Sequence, residues 1–101
     1  MLQFMETPDK FIELLKEKDS NEIVGGTRSA SECPIARFIR SYTKLDYAVT
    51  ETYYRKVKSL GMHKLQDWAS LFIHRIDQED KYITAQECLD IMEIIINTLK
   101  N

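Results

Sequence analysis

The segment 64–77, KLQDWASLFIHRID, carries the clearest secondary-structure signal in the chain. Its apolar residues recur at intervals of three and four, which places them on one face of an α-helix. This apolar stripe consists of Leu65, Trp68, Ala69, Phe72, Ile73 and Ile76. The pattern predicts an amphipathic helix over 64–77. His74 falls on the opposite face, where we expect it to meet water.

Downstream, the sequence predicts a last helix over 85–99. Thr84 is followed three residues later by Glu87, which is the spacing of a capping box, and Ile83 can pack onto Cys88 as a hydrophobic staple. The core stripe of this helix is Ala85, Cys88, Leu89, Met92, Ile95, Ile96 and Leu99.

Two isoleucines of the last helix fall outside its core stripe. Ile91 lies at the edge of the stripe and Ile94 lies on the opposite side, next to Glu87 in projection. A monomer that buries one helix face would leave Ile94 in water. Isolated exposed apolar residues are normal, and Ile91 can simply widen the core face. The other interpretation is that two copies pack about a two-fold axis, so we expect a homodimer that buries Ile91 and Ile94.

The first helix is predicted over 8–18. Thr7 offers a side-chain acceptor at the N-cap, and Pro8 stands where its missing N–H has no cost. After this helix, Ile23 and Val24 are followed by two glycines and by a loop of small and hydroxylated residues over 27–31.

The second helix is predicted over 32–42 with Ser31 as its cap. This choice places Pro34 at the third helical position, where the backbone N–H has no intrahelical partner. An apolar stripe of Ile35, Phe38, Ile39 and Tyr42 then faces the core, opposite Arg37 and Arg40.

Between 45 and 57 the chain is rich in β-branched and aromatic residues, which predicts two short strands. Glu51-Thr52 is a poor hairpin turn, so a helix through this region is the alternative. Four helices and a minimal hairpin predict a single domain over 1–101 of the α+β class, mostly helical. An all-α bundle is the second choice.

Composition excludes several classes of protein. The chain has 101 residues, of which 44% are hydrophobic and 30% charged, and its net charge of −2 gives no bulk attraction to nucleic acid. Cys33 and Cys88 lie too far apart for a zinc-finger spacing, and reduced thiols in a cytoplasm are the simpler interpretation. The N-terminus lacks a signal-peptide pattern, and nothing approaches the roughly 18 apolar residues of a membrane span. We therefore expect a cytoplasmic protein without a membrane partner.

No metal site, cofactor or catalytic residue is predicted. The acidic loop that runs from Asp77 to Glu87 suggests a calcium-binding loop, but it lacks the glycine required at the sixth position and contains Lys81. His63 precedes the helix over 64–77 and has no cysteine or carboxylate at ligand spacing.

Cys33 is a candidate reactive thiol. It falls in the first turn of the helix predicted over 32–42, on the side that carries Arg37. A helix N-terminus and a guanidinium both lower the pKa of a thiol below its free value of ~8.5. Cysteine is also among the most often buried residues, so a structural role is the interpretation we favour. Cys88 is assigned to the core.

Positive charge concentrates in residues 37–64, against only Asp46 and Glu51. The seven cations are Arg37, Arg40, Lys44, Arg55, Lys56, Lys58 and Lys64. Four interleaved tyrosines give the mixture of cations and aromatics that can follow a phosphate backbone. A solvated basic face, or a binding patch for an acidic protein, explains the same residues equally well. Our first hypothesis is a small non-enzymatic interaction or regulatory domain that self-associates. The second is a weak nucleic-acid-binding protein that uses segment 37–64, and an enzyme is third.

Overall fold

The computed structural model describes residues 2–100, which form an α+β fold that is mostly helical. Its α-helices are α1 (Asp9–Lys16), α2 (Pro34–Thr43), α3 (Asp67–Ile76) and α4 (Ala85–Lys100), and a 3-10 helix spans Gln3–Met5. Its strands are β1 (Ile23–Gly26), β2 (Tyr47–Val49), β3 (Tyr53–Lys56), β4 (His63–Lys64) and β5 (Tyr82–Thr84). The predicted class is confirmed. The β-rich segment 45–57 forms two strands, so the all-α alternative is wrong.

A two-stranded sheet joins distant parts of the chain. β1 runs antiparallel to β5, with Ile23 opposite Thr84 and Gly26 opposite Tyr82. Gly25 of β1 lies against the start of α2, and a Cβ atom on it would stand 2.6 Å from the backbone nitrogen of Pro34. The sheet and α2 are thus packed at backbone contact distance.

A three-stranded antiparallel sheet, in the order β2-β3-β4, forms the other β element. Val49 of β2 lies opposite Tyr54 of β3, and both side chains are buried. Because successive strand residues point to opposite faces, this pair defines the inner face of the sheet. On the opposite face Tyr53 and Arg55 are half-buried and Lys64 is exposed.

The core is organised around Phe11 of α1. The ring of Phe11 lies 5.2 Å from Phe38, 5.2 Å from Phe72 and 5.6 Å from Trp68, measured between centroids. Trp68 Nε1 donates a hydrogen bond of 2.7 Å to the backbone carbonyl of Met5, which fixes the N-terminal 3-10 helix onto α3. Three helices and the N-terminal segment therefore meet at one aromatic cluster.

The helix starts differ from the sequence predictions at three places. The helix predicted over 64–77 begins at Asp67, because His63–Lys64 forms strand β4. α1 has Pro8 at its N-cap with no side-chain hydrogen bond, so the prediction of Thr7 as the cap is wrong. The cap of α2 is Cys33, whose sulfur accepts from the Ala36 N–H at 3.4 Å, and not Ser31. Pro34 is then the first helical residue, where proline is tolerated best.

The capping box of α4 is confirmed. The Glu87 N–H donates to Thr84 Oγ1 at 3.2 Å, and the Thr84 N–H donates to Glu87 Oε1 at 3.1 Å. Lys81 Nζ also hydrogen-bonds to the Glu87 carboxylate. This bond and that from the Thr84 backbone hold the pKa of Glu87 below its ordinary value of 4.5.

We expect Thr84→Ala to lower the free energy of unfolding by about 1 kcal/mol, because α4 loses its side-chain cap.

Since the pKa of Glu87 is lower in the folded state, its ionised form stabilises the fold above the unfolded-state pKa, and this contribution is lost as pH falls through the folded pKa. Urea unfolding of Glu87→Gln at pH 7 and at pH 3 should therefore show the larger loss at pH 7. The matched control, Glu93→Gln on the exposed side of α4, should change little at either pH. An equal loss for Glu87→Gln at both pH values would contradict this account.

Candidate interaction surface

The arginines of α2 are paired with carboxylates of the same region. Arg40 lies 3.2 Å from Glu32 and 3.7 Å from Asp46, and Arg37 lies 3.5 Å from Glu32. Lys44, which follows α2, donates to the Ser41 carbonyl at 2.8 Å. Much of the positive charge at this end of segment 37–64 is therefore compensated locally.

Four cations occupy the three-stranded sheet and its last loop. Arg55, Lys56, Lys58 and Lys64 form no ion pair with any carboxylate of residues 2–100. Residues 55–66 contain no aspartate or glutamate. The structure thus divides the seven predicted cations into three groups. Arg37 and Arg40 are ion-paired on α2, Lys44 bonds to a backbone carbonyl, and the other four are unpaired on the sheet and its loop.

The outer face of this sheet carries an aromatic ring between cations. Tyr53 of β3 lies directly opposite Lys64 of β4, and Arg55 is on the same face because the intervening Tyr54 points inward. Tyr53, Arg55 and Lys64 are thus neighbours in an antiparallel sheet.

The connection from β3 to β4, residues 57–62, is the most exposed apolar part of the described chain. We call it the β3–β4 loop. Leu60 is 101% exposed and Met62 62% exposed, and both stand among the four unpaired cations. The loop is internally bonded, because Arg55 donates to the Ser59 carbonyl at 3.2 Å and the Gly61 N–H donates to Ser59 Oγ at 3.3 Å. The sequence analysis assigned no role to Leu60 or Met62. Two apolar residues between lysines, outside any helix or strand stripe, were the available signal.

The two histidines lie on different elements. His74 of α3 is exposed, as predicted, and its Nδ1 lies 2.8 Å from Glu51 Oε1. His63 lies on β4, where its ring stacks on Tyr54 with centroids 5.2 Å apart. The imidazole of His63 therefore contacts β3, and that of His74 contacts the turn between β2 and β3.

Both thiols are buried, at the cap of α2 and in the core. Burial raises the pKa of Cys33 to about 11, against the lowering by its hydrogen bond from Ala36. Burial likewise raises the pKa of Cys88 to about 12. The expected effect of the helix N-terminus on Cys33 is present, but desolvation outweighs it.

We expect both cysteines to react slowly with iodoacetamide at neutral pH, because the thiolate is the reacting form and is disfavoured at both sites. Mass spectrometry of each labelled peptide, with and without urea, measures this. Labelling of both should accelerate together as the protein unfolds. Fast labelling of Cys33 alone in the native protein would show that Cys33 is a reactive thiol.

The structure separates the two isoleucines predicted to mediate self-association. Ile94 is 57% exposed, whereas Ile91 is half-buried and packs against the core. Only Ile94 is thus largely in solvent. A single exposed isoleucine is common on monomeric proteins.

The acidic loop after α3 has structural partners. Asp77 accepts a hydrogen bond from the Arg28 N–H at 2.8 Å, and the Glu79 carbonyl accepts one from Thr27 Oγ1 at 2.5 Å. Within residues 2–100 no group of three or more histidine, cysteine, aspartate and glutamate side chains could hold a metal ion. Over the same residues, no helix has the length and apolar character needed to cross a membrane.

Comparison with protein-family models, with curated proteins and with solved structures finds no match to this chain.

Proposed function

We propose that this chain is a non-enzymatic interaction domain, and that a second copy of itself is among its partners. The observation that carries the proposal is the β3–β4 loop, where Leu60 is fully exposed on an internally bonded loop rather than on a frayed end. Leu60 and Met62 together form a small exposed apolar cluster that is flanked in sequence by Lys58 and Lys64. An apolar cluster with a polar rim is a surface that a partner can cover.

The cysteines and the exposed histidine support the same conclusion, because each has a structural role in the fold. Cys33 caps α2, and Cys88 fills the core. His74 pairs with Glu51 next to the sheet. These groups have structural partners. Reduced, buried thiols also fit the cytoplasmic location that we propose for the protein.

A quantitative pull-down from host lysate tests the proposal with three immobilised forms of the protein. These are the wild type, the loop variant L60D/M62D and the control Y82S, which removes a side chain that is 73% exposed on β5. Proteins or nucleic acids captured by the wild type and by Y82S should be lost from L60D/M62D. Equal capture by all three forms would show that the loop is not the contact surface.

Binding of single-stranded nucleic acid is the second candidate function. The observation that favours it is the outer face of the sheet, where Tyr53 lies opposite Lys64 and beside Arg55. A base can stack on such a ring while neighbouring cations contact phosphates. Any such binding is expected to be weak, independent of sequence and steeply dependent on salt.

We expect the variant K56E/K58E/K64E to weaken binding of a fluorescent oligothymidine about tenfold or more at low salt, because each reversal replaces an unpaired positive charge of the sheet or its loop with a negative one. These three lysines are chosen over Arg55, which holds the β3–β4 loop through Ser59. The charge-matched control K10E/K16E/K18E alters the α1 region and should bind more tightly than the sheet variant. If fluorescence anisotropy shows no binding by the wild type at low salt, the nucleic-acid hypothesis is lost.

A further inference from the structure

A groove between α1 and α4 is the second unpartnered apolar surface of the described chain. Its apolar lining includes Ile12 of α1 and Leu89 and Ile96 of α4, all half-buried, and it encloses about 370 Å³. Asp90 and Glu93 line the α4 side, and Lys16 lines the α1 side. The groove is therefore an apolar trough whose two carboxylates outnumber its single cation.

The β3–β4 loop has the complementary character. Its apolar side chains, Leu60 and Met62, project into solvent, and the sequence around them carries four cations and no carboxylate. Because Leu60 is fully exposed, the loop does not fill the groove of its own copy. The same chain thus presents an apolar, basic protrusion and an apolar, acidic recess, and neither is occupied within one molecule.

We propose that the β3–β4 loop of one copy docks into the α1–α4 groove of a second copy. In this contact Leu60 and Met62 cover the apolar lining of the groove. Lys58 of the loop and the flanking Lys56 and Lys64 approach Asp90 and Glu93. The proposal rests on the proposed function, since it names the partner of the loop. Complementary charge fixes the orientation of such a contact and discriminates against other partners.

The contact is heterologous, because two different surfaces of the chain meet. Each copy that donates its loop keeps a free groove, so association continues head to tail unless the rotation closes a ring. One loop in one groove is a small interface, which predicts weak association, with a dissociation constant on the order of 10 to 100 µM. The predicted contact through Ile94 is different, since a two-fold interface stops at a dimer.

Size-exclusion chromatography with light scattering, and sedimentation equilibrium over about 10 µM to 1 mM, measures the association. The mass of the wild type should rise above 11.9 kDa with concentration and continue beyond a dimer or close at a defined ring. The loop variant L60D/M62D and the groove variant D90K/E93K should each weaken association about tenfold or more. Leu60 and Met62 are exposed on the loop, and Asp90 and Glu93 are exposed on α4. Circular dichroism should therefore show an unchanged fold for both variants.

Two control variants separate docking of the loop in the groove from other causes of association. E79K/D80K changes the net charge by the same amount as D90K/E93K but lies in the acidic loop after α3, and it should associate like the wild type. I94K should also associate like the wild type, because Ile94 lines neither surface.

A mixture of the two impaired variants gives the sharpest test. L60D/M62D keeps an intact groove, and D90K/E93K keeps an intact loop. Each variant should self-associate only weakly, but together they should form a one-to-one complex that grows no further. A wild type that stays monomeric at about 1 mM would overturn the proposal, as would a mixture that gains no mass. If I94K lost association while L60D/M62D and D90K/E93K kept it, the two-fold dimer would replace loop-in-groove docking as the mode of association. If the loop binds nucleic acid or another protein while the wild type stays monomeric, this proposal fails together with the self-association part of the proposed function, and the interaction function itself survives.

Discussion

Gly25→Ala is expected to destabilise the protein by about 3 kcal/mol or more. The added methyl carbon would lie 2.6 Å from the Pro34 nitrogen and 2.8 Å from the Glu32 carbonyl oxygen, which is closer than atoms of these kinds approach. Both neighbours are backbone, so no side chain can rotate away. Relief requires β1 to separate from the start of α2. Because small domains have only about 5 to 15 kcal/mol of stability, the loss should be visible as a large decrease in the urea midpoint.

Gly26→Ala is the matched control, since it changes the neighbouring residue of the same strand. A methyl group there would meet only the ring of Tyr82, at 3.8 Å, which is an ordinary contact. The urea midpoint should therefore stay close to that of the wild type. If both variants lost the same stability, the cause would be the β1 backbone in general and not the approach of Pro34.

Phe11→Ala is expected to produce the other large effect, a loss of about 3 to 5 kcal/mol in the free energy of unfolding. Phe11 is 1% exposed and lies within 5.6 Å, between ring centroids, of the three aromatic residues that bring α2 and α3 onto α1. Truncation leaves a cavity at the point where these helices meet, and the rigid rings around it cannot close the space.

Phe4→Ala tests whether position in the cluster decides the size of the loss. Phe4 is only half-buried and stacks on Tyr42 with centroids 4.6 Å apart, at the periphery of the cluster. Its truncation should cost roughly half as much as that of Phe11, in proportion to the area removed from water. Chemical denaturation followed by tryptophan fluorescence reports both, and equal losses would show that Phe11 is not the centre of the core.

The long helices could be predicted because their signals are local. All members of the apolar stripe from Leu65 to Ile76 are buried, as their spacing predicts. The Thr84 and Glu87 pair forms the capping box at the start of α4. These features require only spacing within about two helical turns. The hairpin between β2 and β3 was also visible in its β-branched and aromatic residues, despite its poor turn sequence.

The elements that could not be predicted depend on partners far along the chain. β1 and β5 have four and three residues, too few for a periodic pattern, and each is a strand only because the other lies beside it. The ion pairs around α2 join residues that are closer in sequence, but they too become visible only in the folded chain. Arg37 and Arg40 look like part of one basic face in the sequence, but Glu32 and Asp46 compensate them once α2 is packed. The cap at Cys33 was missed because sulfur is a weak acceptor that cap statistics rarely include.

The candidate surface shows the same division between local and long-range information. The unpaired cations of the sheet were all named from the sequence, since charge needs no fold to be seen. Their combination with Leu60 was not, because only the structure shows which apolar side chains find no cover. The groove is also invisible in the sequence, since it is formed by α1 and α4 from opposite ends of the chain.

The pairing of Ile23 with Thr84 has a consequence for the order in which the chain folds. Everything from the loop after β1 to the loop before β5 lies between these partners, and loop-closure entropy opposes their meeting until that intervening chain has condensed. The β2 and β3 hairpin, by contrast, joins neighbours in sequence and can form within microseconds. The small sheet of β1 and β5 is therefore a late element of the folding pathway. Its mutations should accelerate unfolding while leaving the refolding rate almost unchanged.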